Sequence, residues 1–371
     1  MKHARWSAPR ACEWYHSLPW IRGCNYVPSD CWNRIDQWQA YGFSEHLATM
    51  DREMKLASEL GFNAIRVMVD LDVWCQDPDG LLERFEQYLE TAWKYGIRTM
   101  VMWASDCTTP RDKQYVAHLG PQSGDWGYHG ARKDSPHGSF PGTVGFNPLD
   151  DPETLESCCD MVRTLISRYA RDERILLWNL FNEIGNNNRG SKSLPYLERF
   201  FEISREIDPI HPLAADVFGN DETKQYAMEH SDVISFHNYG SFQEMVQEID
   251  WLKEQTGRPL LCTEWLNRIN HNNIHDIFPL LYLEEVGSFS WGLVAGLLQY
   301  YEPHETAWKL YEADPSINFD FTKWMHDLYR PNLRPYDPHE TELIHHFCQL
   351  ADARFAARKN RKATAAQENL L

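Results

Sequence analysis

Two glutamates stand out for the chemistry they could do, because each closes a strongly apolar run: Glu183 in Trp178-Asn-Leu-Phe-Asn-Glu183 and Glu264 in Leu260-Leu-Cys-Thr-Glu264-Trp265. An ionised carboxylate in such a place is costly unless it is paired. Two of them on opposite sides of one cleft can flank a single bond. One then protonates a leaving oxygen while the other attacks the anomeric carbon, which is what glycoside hydrolysis requires. Possible helpers occupy similar settings: Arg66 in Asn63-Ala-Ile-Arg66-Val67, His237 and Tyr239 in Ser235-Phe-His-Asn-Tyr239, and Trp291 in Ser290-Trp-Gly292.

These residues fall on a regular alternation of elements. Short apolar segments rich in β-formers occur at Trp20–Tyr26, Asn63–Val69, Arg98–Trp103, Ile175–Phe181, Pro212–Phe218, Asp232–His237, Pro259–Glu264 and Ser288–Val294. Several are nearly continuous apolar runs, as expected of parallel strands buried on both faces. Helical stripes lie between them: Leu47, Met50, Met54 and Ala57; Leu81, Leu82, Phe85, Leu89 and Trp93; Leu155, Cys158, Cys159, Val162, Ile166 and Tyr169. Asp151-Pro152 is a helix start, and Gly61, Gly96 and Gly257 are placed to stop helices. Eight such strand–helix units predict an α/β protein, a (β/α)8 TIM barrel, whose active site lies at the C-terminal ends of the strands. A doubly wound sheet is disfavoured because no Gly-rich phosphate turn follows the first strand. The expected organisation is one catalytic domain over 1–350. It has a barrel core over 15–300, a long loop at 104–150 after the third strand, an extension at 303–350 and a frayed tail at 351–371.

Composition narrows the function. In 371 residues, 36 Lys and Arg face 54 Asp and Glu, a formal charge of −18. That excess argues against a general grip on nucleic acid or on an acidic membrane surface. No apolar run approaches the roughly 20 residues that span a bilayer. The first 20 residues hold no apolar block of the secretory kind, which points to the cytoplasm. The nine cysteines show no CxxC pair and read as free thiols. His339, His345 and His346 form no metal motif, and there is neither HExxH nor GxSxG, so no metal or cofactor is expected. Oligomeric state is left open.

Asn182-Glu183 after the fourth strand and Glu264 after the seventh resemble the signature of the clan A glycoside hydrolases, most nearly glycoside hydrolase family 5, the cellulase family, over residues 15–300. That resemblance implies a retaining double displacement with Glu183 as acid/base and Glu264 as nucleophile. It implies that Asn182 binds the 2-position of the sugar, that Arg66 keeps the nucleophile ionised, and that Tyr239 donates to it. His237 would sit near the acid/base, and Trp291 would form the floor beneath the sugar. Asn25, in Arg22-Gly-Cys-Asn25-Tyr26, resembles the first-strand motif. The sequence departs from the family at the third strand, where Met102-Trp-Ala-Ser-Asp106 lacks the usual histidine; Asp106 or Trp103 is expected to take over that sugar contact. Trp126 in the long loop and Trp265 are expected to add stacking surface. The proton balance expected of the free enzyme has Glu264 ionised and Glu183 protonated, its pKa raised by a negative neighbour roughly 5–5.5 Å away. The favoured reading is an exo-acting β-glycosidase on short manno-, gluco- or xylo-configured oligosaccharides. An endo-acting glycanase, a transglycosylase and a non-catalytic carbohydrate-binding barrel are the alternatives.

Overall fold

The computed structural model of the chain describes residues 4–114, 116–124 and 142–368, with side chains through Arg361. Eight parallel strands alternate with helices: β1 (Arg22–Asn25), β2 (Ala64–Met68), β3 (Arg98–Met102), β4 (Ile175–Asn179), β5 (Leu213–Ala214), β6 (Ile234–His237), β7 (Leu260–Trp265) and β8 (Gly287–Trp291). Their order is β5-β4-β3-β2-β1-β8-β7-β6. The seam between β5 and β6 is closed by a bridge between Asp216 and Ser235 and by the Val217 amide donating to the Ser235 carbonyl at 2.8 Å. The chain is therefore the (β/α)8 barrel that its alternation predicts.

All eight strands lie on the predicted segments, but two are cut short. The β5 ladder is regular for two residues only, because Asp216 leaves it to bond inside the barrel. β8 stops at Trp291 because Gly292 adopts φ 80°, a left-handed conformation that ends extended structure. Inside the barrel, Ala64, Met100, Leu177, Val233, Leu261 and Phe289 form one apolar cluster. A helix over Ala8–Ser17 joins that cluster through Ala11 and Tyr15. The Ser7 side chain caps this helix, and the Trp6 amide just before it is fixed by the Asp232 carboxylate at 2.8 Å. The sequence reading did not place this helix, since its segment mixes charges with aromatics and shows no clean stripe.

The outer helices follow the predicted stripes. Helix Phe43–Leu60 buries Met50, Met54 and Ala57 and ends on Gly61 at φ 103°. Helix Pro152–Arg168 starts on Asp151, whose carboxylate accepts from the Thr154 amide at 2.9 Å. Helix Pro78–Trp93 ends on Lys94 rather than on Gly96, which comes two residues later in a left-handed turn. The C-terminal segment differs most from expectation. Where fraying is predicted from 351, a helix runs over Pro338–Glu368. Ile344, Cys348 and Ala351 are buried against the barrel, and Arg22 pairs with Asp352 at 2.8 Å.

The start of that helix is bolted to the barrel mouth. Arg268 is buried and donates to Glu340 at 2.7 and 2.9 Å, and also to the carbonyls of His326 and Asp327 at 2.8 Å each. Removing one partner of a buried pair leaves an uncompensated charge. Glu340→Ala should cost about 3 kcal/mol in urea denaturation, and a loss indistinguishable from zero would show that the two carbonyls alone satisfy Arg268.

Candidate active site

Strand alternation decides which side chains reach the mouth. On β3, Val101 and Trp103 share the outward face while Met100 points into the barrel. β7 breaks this rule. Leu261 faces inward and Trp265 outward although they are four residues apart, and the ladder to β8 slips between Cys262 and Trp265. A slip of this kind re-aims a side chain, and here it turns Glu264 into the barrel.

Arg66 of β2 occupies the centre, fully buried. Its Nη1 donates to Glu264 Oε1 at 2.6 Å and to Asn25 Oδ1 at 2.9 Å. Nη2 donates to Asn179 Oδ1 at 2.8 Å, Asn182 Oδ1 at 2.6 Å and Asp216 Oδ2 at 3.1 Å. Tyr239 donates to the other Glu264 oxygen at 2.9 Å. Glu183 sits at φ 46°, a conformation unusual for a non-glycine residue and common where function demands a fixed geometry. Its Oε1 meets His237 Nδ1 at 2.7 Å, while Oε2 accepts from Asn186 at 2.5 Å and from the Cys107 thiol at 2.9 Å. One oxygen from each glutamate and a ring nitrogen of His237 all lie within 4.8 Å of one another.

The other candidate residues divide. Asn25 is drawn into the centre, bonding Arg66 and, through Nδ2, the Thr263 carbonyl at 2.8 Å. Trp291 stands in register with Asn25, its ring edge-on to Tyr300 at 5.4 Å. Through His326 it connects to Tyr239, the His326 ring lying 6.3 Å from Trp291 and 5.7 Å from Tyr239. Three candidates are not brought to the cleft. Trp103 is packed on Trp178 and Phe200 between barrel and helices, a consequence of its outward parity. Trp265 likewise packs on Phe278, with its indole N–H on Ser288 at 3.0 Å. Asp106 is fully buried and occupied by Arg189, Ser193, Asn147 and the Gly185 amide. It fastens the loop after β4, and its full burial keeps it out of reach of a ligand. Trp126 lies outside the described residues.

Four residues at this centre escaped the sequence reading. Asp216 shares one oxygen between Arg66 and the Glu183 amide, and takes bonds from Ser235 at 2.6 Å and Asn179 at 3.0 Å. The signal was present, because Leu213-Ala-Ala-Asp216-Val is another acid closing an apolar run. Asn179 sits inside the Trp178–Glu183 stretch already singled out. Cys107 and Asn186 carry no motif; they lie in loops and are recognisable only by where the fold puts them.

Charge at the centre differs from the expected balance. Burial alone would lower the His237 pKa, but Glu264, Asp216 and Glu183 outweigh it and raise the ring to about 10. Glu183 moves the other way: burial would raise it, yet His237, Cys107 and Asn186 hold it below the usual range. Burial lifts Glu264 above that range, against the pull of His237 and Arg66. The proton assigned to Glu183 from sequence thus resides on His237, because the sequence reading counted neither the imidazole nor Asp216 as a charge. His237 Nε2 stands 3.2 Å from Asp216 Oδ2, close enough for ion pairing although the N–H is not aligned for a hydrogen bond.

Glu183, His237 and Glu264 offer three potential ligand atoms within 4.8 Å of one another, and with the ring protonated the group holds a proton. Asp30, Cys31 and His46 form a second group within 4.8 Å, in which Asp30 and His46 pair at 3.1 Å.

No family model matches the chain, and no curated protein matches it. Solved structures do. The chain is similar to a family 39 glycoside hydrolase from the gut symbiont Bacteroides cellulosilyticus WH2, with a TM-score of 0.52 and 13% identity over 91% of this chain and 64% of that one. It is similar to an exo-β-1,4-mannosidase from Opitutaceae bacterium strain TAV5, with a TM-score of 0.56 and 16% identity over 90% of this chain and 60% of that one. It is also similar to an endo-β-1,4-mannanase from Thermotoga petrophila, with a TM-score of 0.57 and 15% identity over 90% and 77%. The chain thus spans under two thirds of the first two. The likeness is one of fold: these glycoside hydrolases are built on the same barrel. Among the described residues, no helix is long and apolar enough to cross a membrane.

The His237 assignment has a measurable consequence. Its pKa of about 10 in the folded chain, against an ordinary 6.5, means that folding binds a proton between those values. The stability this confers is complete below pH 6.5 and fades as pH rises towards 10. Urea denaturation should therefore show wild type losing more stability between pH 6 and 9 than His237→Gln, and parallel losses would place the proton elsewhere. Asp216→Asn, which removes one of the charges raising the ring, should move the His237 titration downward in NMR.

Proposed function

We propose that this protein is a retaining β-glycosidase that acts by double displacement, with Glu264 as nucleophile and Glu183 as acid/base. One observation carries the reading. Two carboxylates at the C-terminal mouth of the barrel bring oxygens within 4.8 Å of each other, Glu264 bonded to Arg66 and Tyr239 and Glu183 to His237, Asn186 and Cys107. Retaining enzymes keep their carboxyl groups roughly 5–5.5 Å apart, whereas inverting enzymes leave roughly 6.5–9.5 Å for a water.

Glu264 is fixed by Arg66 and Tyr239, which orient one oxygen pair and stabilise its charge, as a nucleophile requires. Glu183 is loaded through His237. The proton on Nδ1 crosses the 2.7 Å bond to Oε1 when a leaving oxygen takes up position, and Glu183 passes it on. Once Glu264 is esterified its charge is gone, and Glu183 acts as base for the incoming water. Asn182, held by Arg66 and Ser105, binds the hydroxyl beside the anomeric carbon in this reading. Trp291 offers an aromatic face to the ring. The substrate is a short, neutral β-linked oligosaccharide trimmed from its end, manno-, gluco- or xylo-configured; the −18 charge of the chain suits an uncharged substrate.

The reading is tested on aryl β-glycosides of mannose, glucose, galactose and xylose. Wild type should cleave at least one. Glu264→Ala should abolish turnover, and Glu183→Gln should slow substrates with poor leaving groups by about 10²–10⁴-fold. Proton NMR of the first-formed anomer should show the β configuration. An α product, or turnover surviving Glu264→Ala, would overturn the assignment.

A further inference from the structure

The loop that carries Glu183 does not hold its own shape. Glu183, Gly185, Asn187 and Asn188 all take the left-handed region, at φ 46°, 87°, 49° and 62°. Non-glycine residues rarely stay there without outside support. The segment beyond β3 supplies that support. The Asp106 amide donates to the Asn182 carbonyl at 3.2 Å, and the Asp106 carboxylate accepts from the Gly185 amide at 2.8 Å. The Asn187 side chain donates to the Asp106 carbonyl at 3.1 Å. One residue further on stands Cys107, its amide fixed on Ser105 Oγ at 3.1 Å.

The direction of the Cys107 thiol hydrogen follows from its neighbours. Asn182 Nδ2 and Asn186 Nδ2 lie 3.5 and 3.4 Å from the sulfur. Their amide orientations are settled, because Arg66 donates to Asn182 Oδ1 at 2.6 Å and the Asn187 amide donates to Asn186 Oδ1 at 2.6 Å. Both asparagines therefore present N–H groups, and the sulfur accepts. Its single hydrogen is left for Glu183 Oε2, at 2.9 Å. Burial and the negative charge of Glu183 push the thiol pKa well above its ordinary value, so this donor keeps its hydrogen.

Among the described residues Glu183 Oε2 has two partners. Asn186 is one, on the same loop as Glu183 itself. Cys107 is the other, and it ties the oxygen to the β3 side of the mouth, as His237 ties Oε1 to β6. We propose that Cys107 is a positioning residue for the acid/base: its thiol bond fixes the Glu183 carboxyl between the ends of β3 and β6, aimed for proton transfer. A donor on Oε2 also favours the ionised carboxylate, the form that takes the proton from His237. The proposal rests on the glycosidase reading for the catalytic role of Glu183. It adds a determinant of acid strength that lies on neither the β4 nor the β6 side of the site.

The experiment compares wild type with Cys107→Ala, which removes the donor, and Cys107→Ser, which keeps a hydroxyl donor in its place. Phenyl and dinitrophenyl β-glycosides of one sugar are the substrates, because a poor leaving group needs the proton from Glu183 and a good one does not. Cys107→Ala should lose at least about tenfold in kcat/KM on the phenyl glycoside and less than about threefold on the dinitrophenyl glycoside. Cys107→Ser should return to within about threefold of wild type on both. Equal losses on the two substrates would make Cys107 a packing residue and overturn the proposal, as would no loss on either. Carboxyl NMR gives the second readout, with the Glu183 signal assigned by its disappearance in Glu183→Gln. Removing a donor to the ionised form favours the proton, so the Glu183 titration should rise by about one pH unit in Cys107→Ala and not in Cys107→Ser. A residue that only fills space would leave that titration where it is, and an unmoved titration overturns the proposal. If Cys107→Ala does not fold, Cys107→Val, which fills the space without a donor, takes its place. If wild type cleaves neither glycoside, the glycosidase reading fails, and the titration alone decides whether the thiol governs the Glu183 carboxyl.

Discussion

The Arg66 guanidinium projects from β2 into the barrel mouth and is satisfied by residues from or just beyond β1, β4, β5 and β7. A buried cation is tolerated only when its donors are used and its charge is met. Here Glu264 and Asp216 meet the charge, and the three asparagines Asn25, Asn179 and Asn182 take the remaining donors. The same bonds set the spacing of the mouth. Asn25, Asn182 and Glu264 can be where they are only because one planar, rigid group spans the distances between them. The placement of Glu264 and Asn182 and the closure of the barrel's upper end thus depend on a single side chain.

Around that cation the charges do not cancel. With His237 protonated, two cations face Glu183, Glu264 and Asp216, so the pocket keeps one negative charge. Its titrations belong to the group as a whole rather than to single residues. Under the glycosidase reading this imbalance has a use, because positive charge develops on the sugar in the oxocarbenium-like transition state, where a fixed negative surround is stabilising. Asp216 supplies it without taking part in bond making.

Much of this was legible in the residues. Apolar runs ending in acids located Glu183 and Glu264, and the strand–helix alternation fixed the barrel around them. Arg66, His237, Tyr239 and Asn182 came with the motif. What stayed hidden depended on direction and distance. Trp103 and Asp106 sit three residues apart at the end of β3, yet one faces the helices and the other is consumed by Arg189, which strand parity and a distant loop decide. The slip in β7 that turns Glu264 inward leaves no mark in composition. Asp216 met the criterion that found the two glutamates but lacked a motif to draw attention to it. The location of the proton followed from a sum over four side chains that only coordinates bring together.

The bolt between Arg268 and Glu340 also bears on how the molecule is made. Strand β8 is complete at residue 291, and the eight strands could pair as soon as they have left the ribosome. The Asp327 segment at the mouth is not secured until residue 340 has emerged, and the start of β1, at the opposite end of the barrel, is not braced until Asp352 reaches Arg22. Those contacts join positions 72 and 330 residues apart, separations that slow the search for the native state. A nascent barrel can therefore close while its mouth is still unfinished. The rim around Arg268 is locked last, once the helix that begins at Pro338 has docked on it.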